Sequence, residues 1–342
     1  MVRKDRPMGK MHEEVKKWLT RPADRACPVV GRMLLERIER ARPRLNDPAD
    51  AEALHDFRVA TRRLRSFLRS YRPHLPTKLG GKLRKQLGEV FSSTNAARDA
   101  EVHRAWLEKQ LAEAELPHDE RRALALLAER LAPDSPAPLA ELRRQAGEGF
   151  ARVADKLRKQ FDKAAGDAGA DRSPPFAQAA AAELRKQAER LGEQLGQVQS
   201  ALDPEDHAHE ARLRGKRVRY LIEPLIGVVD GAEACAARLK QLQDLLGDWH
   251  DLRTLQAELR ERVRESAVAW ADELVSKAAA KSAGDQTLRG PELARQLAPA
   301  AGPIRAGQQA CYDRLCRQRE AGEIAALLED LENLAGRLEQ AG

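Results

Sequence analysis

Aromatic residues are scarce in this chain: four Trp, three Tyr and six Phe make up 4% of 342 residues. Runs of alternating Val, Ile and Thr are missing as well, which leaves a β-sheet without sequence to build on. Four cysteines (Cys27, Cys235, Cys311, Cys316) show no CxxC and no paired spacing. That argues against a disulfide framework or zinc knuckle and predicts lone thiols. No stretch reaches the roughly 18–20 apolar residues of a membrane span. The most apolar N-terminal run, Ala26 to Leu35, is broken by Arg32, so it makes no signal-peptide core. A soluble, cytoplasmic protein is expected. A Walker loop, a GxSxG elbow and an HExxH motif are all absent.

Ala, Leu, Arg, Glu, Gln and Lys dominate instead, a composition that favours helix throughout. Charged residues are 33% of the chain, yet the net charge is only +7. The excess is local: residues 55–104 hold twelve Lys/Arg against four Asp/Glu. Local basicity points to a polyanionic partner better than the overall balance does.

Proline and glycine punctuate the chain. Residues 1–24 form a basic leader with a short helix from His12, stopped at Pro22; 25–165 form a first helical unit. The Gly/Asp/Ala/Pro-rich stretch 166–175 is the best linker, and 176–342 form a second unit. Helices are expected at Val29–Leu45, Ala49–Arg72, Lys82–Ser93, Asp99–Ala114 and Leu139–Ala165. In the second unit they are expected at Phe176–Ser200, from Glu205, at Ala232–Leu246, from His250, at Ile304–Arg319 and at Glu323–Glu339. Gly284 to Gly302 reads as irregular. The fold class is all-α, most simply two similar antiparallel helical bundles sharing an interface.

The two units share a pattern. His55-Asp-Phe-Arg-Val-Ala-Thr-Arg-Arg-Leu-Arg matches His209-Glu-Ala-Arg-Leu-Arg-Gly-Lys-Arg-Val-Arg at a constant offset of 154 residues. His55 then pairs with His209, Arg58 with Arg212, Arg62 with Lys216, Arg63 with Arg217 and Arg65 with Arg219. Such repetition points to internal duplication. A second element, ending Arg98-Asp99, parallels one ending His250-Asp251, where each aspartate is expected to cap the next helix.

At 3.6 residues per turn, His55, Arg58, Arg62, Arg65 and Arg69 share one side of a helix. Each follows a member of the seam Leu54, Phe57, Thr61, Leu64 and Leu68, so burying that seam presents a cationic stripe beside it. His209, Arg212, Lys216 and Arg219 repeat the arrangement, although Gly215 interrupts it. Only Asp56 and Glu210 interleave, and like charges a turn apart repel. Guanidinium forks one turn apart suit the oxygens of successive phosphates. Lys78, Lys82, Arg84 and Lys85 could extend the basic surface or simply be solvated. Only Phe67 and Tyr220 lie near the stripes, which offers no platform for stacking bases.

These residues, His55-x-x-Arg58-Val-x-x-Arg62-Arg63-Leu-Arg65, their second copy and the Arg98-Asp99 and His250-Asp251 elements, resemble the CHAD family, the conserved histidine α-helical domain. The resemblance covers roughly residues 25–340. It implies two four-helix bundles related by a pseudo-twofold axis, binding of inorganic polyphosphate through a basic surface or channel where they meet, and association with polyphosphate granules. Carried over by position, the contacts would be His55, Arg58, Arg62, Arg63 and Arg65, with His209, Arg212, Lys216, Arg217 and Arg219. Arg69, Lys82 and Lys85 extend the set. No ExExK motif accompanies them, so the chain looks like a stand-alone binding module without cofactor or metal, and not an enzyme. A polyphosphate-metabolising protein is a further candidate partner.

Two alternatives belong to other classes. The doublets His55-Asp56 and His250-Asp251 could hold a divalent metal, as in HD-type phosphohydrolases, although neighbouring arginines would repel a cation. The basic stripe would also allow a generic nucleic-acid binder, for which no recognition motif is present.

Overall fold

Apart from one isolated antiparallel bridge between Pro22 and Pro175, every described element is helical. The computed structural model describes residues 15–50, 52–92, 94–113, 115–131, 137–166, 173–203, 205–279 and 290–342. Most of the expected leader, most of the expected linker and the first part of the stretch expected to be irregular lie outside the described residues. The described end of the leader belongs to the core, with Val15 and Leu19 buried.

In the first half, α1 (Ala23–Ala41) starts directly after Pro22 and buries Val30, Leu34, Leu35 and Ile38 on one face. A 3-10 turn, Arg42–Asn46, leads into the turn at Asp47, whose side chain accepts from Ala49 N at 2.9 Å. Then come α2 (Ala53–Ser70), a π-helical turn at Leu79–Leu83, α3 (Arg84–Ser92), α4 (Asn95–Glu113), α5 (His118–Leu131) and α6 (Ala137–Gly166). The second half holds α7 (Phe176–Gln197), α8 (His207–Ile222), α9 (Ala232–Ala279), α10 (Glu292–Leu297), α11 (Ala301–Glu320) and α12 (Glu323–Ala341).

Three expectations need correction. Asp99 is the fifth residue of α4, and Asp251 lies well inside α9, so neither caps a helix. The two helices expected at Ala232–Leu246 and from His250 are one helix of 48 residues. Leu242, Leu245, Leu246, Trp249, Leu252 and Leu255 keep an unbroken apolar period across Gly247, so burial carries the helix through the glycine. Residues 292–302 are helical too, because Pro299 and Pro303 fall in first turns, where no N–H is needed, and Leu297, Ala300 and Ile304 are buried.

One large core draws on both sides of residues 166–175, from Val15 to Leu338. The segments entering the halves cross there: Ala23 N donates to Pro174 O at 2.9 Å and Phe176 N to Arg21 O at 2.8 Å. Tyr71 bridges them, its ring 4.8 Å from Phe67 and 5.2 Å from Phe176 between centroids. A second core is built jointly: Leu107, Leu124 and Leu127 from α4 and α5 pack with Leu252, Leu255, Leu259, Leu297 and Ile304.

Close packing gives a direct test. A methyl group at Gly31 would stand 2.3 Å from the Phe161 ring, whereas one at Gly336 would meet nothing within 4 Å. Gly31→Ala should therefore cost about 1–3 kcal/mol, and Gly336→Ala should gain about 0.5–1 kcal/mol, both measured by urea unfolding.

Candidate functional site

The seam predicted on α2 is buried: Leu54, Phe57, Thr61, Leu64 and Leu68 all face the core. On α8 the same role falls to Ala208, Ala211, Val218 and Ile222. Burying these faces turns the neighbouring stripes toward each other across a cleft of about 310 Å³. The first half lines it with Arg58, Arg62, Arg65, Ser66, Arg69, Arg84, Phe91 and Asp99. The second half contributes His209, Arg212, Leu213, Lys216, Arg217, Tyr220 and His250.

Eight of the thirteen residues expected from sequence meet in this cleft: Arg58, Arg62, Arg65, Arg69, His209, Arg212, Lys216 and Arg217. Five do not. His55 is exposed on α2 outside it, and its neighbour Asp56 is ion-paired with Arg44. Arg63 and Arg219 are held by one carboxylate: Glu223 accepts from Arg63 Nε at 2.6 Å and lies 3.4 Å from Arg219 Nε. Lys82 and Lys85 line an adjoining groove that shares Arg65 and Arg84 with the cleft. Arg98, the counterpart of His250, has its side chain outside the described residues.

Phe91 had no local signal in the sequence, since it comes from α3. Its ring lies beneath three guanidiniums, 4.6 Å from Arg58, 5.3 Å from Arg62 and 5.0 Å from Arg65. A π-face attracts cations, so one ring offsets part of their mutual repulsion. Arg58 also donates to Thr94 Oγ1, which itself donates to Phe91 O at 2.7 Å. Gly215 leaves α8 intact: Gln243 packs beside it and donates to its carbonyl at 2.8 Å. The N–H and the Nδ1 of His207, the first residue of α8, both lie 2.9 Å from Asp203 Oδ2.

Several arginines elsewhere pair with carboxylates: Arg44 with Asp50, Arg158 with Glu39 and Arg185 with Glu332. In the cleft, Arg62, Arg65, Arg69, Arg212, Lys216 and Arg217 pair with no carboxylate among the described residues. Burial and neighbouring cations weaken the hold of Arg65, Arg69, Arg212, Lys216 and Arg217 on their protons. Lys216 is pushed down to about 6 by burial, then by Arg212 and Arg62, and Arg217 is pushed down to about 10 by burial and Arg69. Arg65 Nε, Arg212 Nε and Tyr220 Oη are buried without a hydrogen-bond partner. Buried donors of this kind call for an acceptor.

At the second-half end, His209 Nδ1 and His250 Nδ1 are 3.0 Å apart, so one ring donates and the other accepts. Burial, then Arg212, pushes His250 down to about 3, and burial lowers His209. Beside them Asp251 is raised by burial against the pull of Arg212 and Lys216. His103 Nε2 lies 2.9 Å from Thr254 Oγ1, which ties α4 to α9 below the cleft. The two His-Asp doublets lie apart, and among the described residues no three His, Cys, Asp or Glu side chains converge as metal ligands.

Two outcomes follow from this electrostatics. Glu223→Gln removes the charge shared by Arg63 and Arg219, and should lower stability by about 1–3 kcal/mol in urea unfolding. Lys216 holds its proton less tightly folded, near 6, than unfolded, near its ordinary value. Between those values the unfolded chain binds more protons, so the empty protein should gain stability as pH rises from about 6 to 9. Lys216→Met should flatten that rise in thermal melts.

The CHAD domain family model matches residues 30–260, which include α2, α8 and the His250-Asp251 element. The crystal structure of the CHAD domain from the plant Ricinus communis is similar to this chain with a TM-score of 0.54 at 22% identity. That match covers 84% of this chain and 91% of the other. At this identity the likeness speaks for the fold alone. No curated protein matches the chain. With the family model matching well over half of its residues, the chain belongs to the CHAD domain family.

Proposed function

We propose that the cleft between α2 and α8 binds inorganic polyphosphate without turning it over, the two halves clamping one chain. The observation that carries this reading is the convergence of six basic side chains, five of them arginines, that pair with no carboxylate among the described residues. Such a cluster is costly when empty, and an anion entering it gains from every member at once. Arginine forks hold phosphate oxygens bidentately, and the unpartnered Arg212 Nε and Tyr220 Oη supply further donors.

The arrangement favours a bare phosphate chain over nucleic acid. Phe91 stacks beneath three guanidiniums and so presents no free platform to a base. Binding of this kind would bring the protein to polyphosphate granules or to a polyphosphate-metabolising partner. No helix among the described residues is long and apolar enough to cross a membrane.

A salt-matched titration with long-chain polyphosphate, tripolyphosphate, and single- and double-stranded DNA, with released phosphate monitored, tests the reading. Long polyphosphate should bind tightly, with log affinity falling linearly with log salt, DNA should bind weakly, and no phosphate should be released. Arg58 is 6% exposed and bonded to Thr94, so Arg62 and Arg69 are the cleaner positions to change. Arg62→Ala with Arg69→Ala should weaken binding by roughly tenfold to a hundredfold or more and flatten the salt slope, with helix content unchanged. Unaltered affinity in the folded double variant, or equal affinity for DNA, would overturn the assignment.

A further inference from the structure

The two walls of the cleft hold charge differently. The α2 wall carries arginines, which stay protonated at any working pH. The α8–α9 wall carries Lys216 and the His209–His250 pair, whose protonation depends on their surroundings. Lys216 faces Arg212 and Arg219 on its own helix and Arg62 from α2, opposed by Asp251 from α9, and Asp99 from α4 also lines the cleft. His250 faces Arg212, Lys216, Arg253 and His209. His209 faces Arg212 and Lys216, with Asp206 and Glu210 opposing them.

The contact between the imidazoles restricts them further. Two Nδ1 atoms 3.0 Å apart need a bare nitrogen on one side. Protonating both rings there would set two N–H groups against each other. With cations on the other sides, the empty cleft holds this wall below full protonation. An anion reverses each of those effects. It attracts an ammonium group, and it accepts the N–H that a second protonation would release from the imidazole contact.

We propose that this wall is a proton-coupled subsite: a polyanion enters together with protons on Lys216 and the His209–His250 pair, so affinity rises as pH falls. This rests on the polyanion reading of the cleft and adds to it how the site is regulated. Lys216 carries the effect near neutrality, since its empty-state value of about 6 leaves it mostly neutral at pH 7.5. The bound form holds more protons above that value, so affinity climbs on acidification and levels off as the empty lysine becomes charged. The histidine pair extends the climb to lower pH.

Calorimetric titration with long-chain polyphosphate, at constant ionic strength between pH 6 and 8.5, tests this. Interior phosphates of a long chain do not titrate in that range, so the protons counted belong to the protein. Two buffers of different protonation enthalpy should give different apparent heats, equivalent to uptake of about one proton near pH 7.5. Affinity should rise by up to about tenfold per pH unit between pH 8 and 6.5. Lys216→Arg, with a permanent charge, should bind more tightly than the parent at pH 8 and lose most of the slope. Heats independent of buffer, with equal affinity at pH 6.5 and 8, would overturn the proposal while leaving the polyanion site standing. Absence of binding at every pH would remove the polyanion reading, and this proposal with it.

Discussion

Eight basic side chains around one cleft of about 310 Å³ repel one another, and the rest of the fold is arranged to keep them there. Two unit charges 4 Å apart interact by about 1 kcal/mol in water and about 4 kcal/mol near a protein surface. The apolar seams of α2 and α8 supply the opposing force: each must be buried, and burial leaves the stripes no other direction to face. Phe91 then sits beneath three guanidiniums, and Glu223 draws Arg63 and Arg219 out of the cluster. The charge is thus partitioned, with one carboxylate taking two arginines for structure while Arg62, Arg65, Arg69, Arg212, Lys216 and Arg217 pair with no carboxylate among the described residues.

Much of this was legible in the chain before any coordinates. The helical period of Leu54, Phe57, Thr61, Leu64 and Leu68 placed the cationic stripe correctly because burial of one face dictates the position of the next. The repeat was likewise a sound guide to which two helices meet. What the period could not supply was anything set by a partner helix. Arg63 on α2 reaches across to Glu223 at the end of α8, the same carboxylate that Arg219 meets one turn on in its own helix. His55 leads its stripe as His209 does, yet it sits at the exposed start of α2 while His209 finds His250. Phe91 and Arg84 reach the cleft from α3, at a distance in sequence where no spacing rule applies.

The helix boundaries tell a related story. Asp99 and Asp251 looked like caps because aspartate often ends a loop, and the 152-residue correspondence between their elements suggested a break in both halves. In α9 no break occurs, since Trp249 is fully buried, with its Nε1 donating to Ala201 O at 3.3 Å, and carries the apolar period across it. Tertiary packing overrides local propensity there, and the result is functional as well as structural. Continuity of α9 is what fixes His250 and Asp251 beside Arg212 and Lys216.

The jointly built second core sets the limit of kinship apart from the limit of folding. The family model's match ends at residue 260, yet Leu107, Leu124 and Leu127 close against Leu297, Ala300 and Ile304, which lie past that point. A fragment cut to residues 30–260 would strip Leu297, Ala300 and Ile304 from this core and leave Leu107, Leu124 and Leu127 covered on one side only, by Leu252, Leu255 and Leu259. The smallest piece of this protein that keeps both cores whole is therefore longer than the span the family model matches.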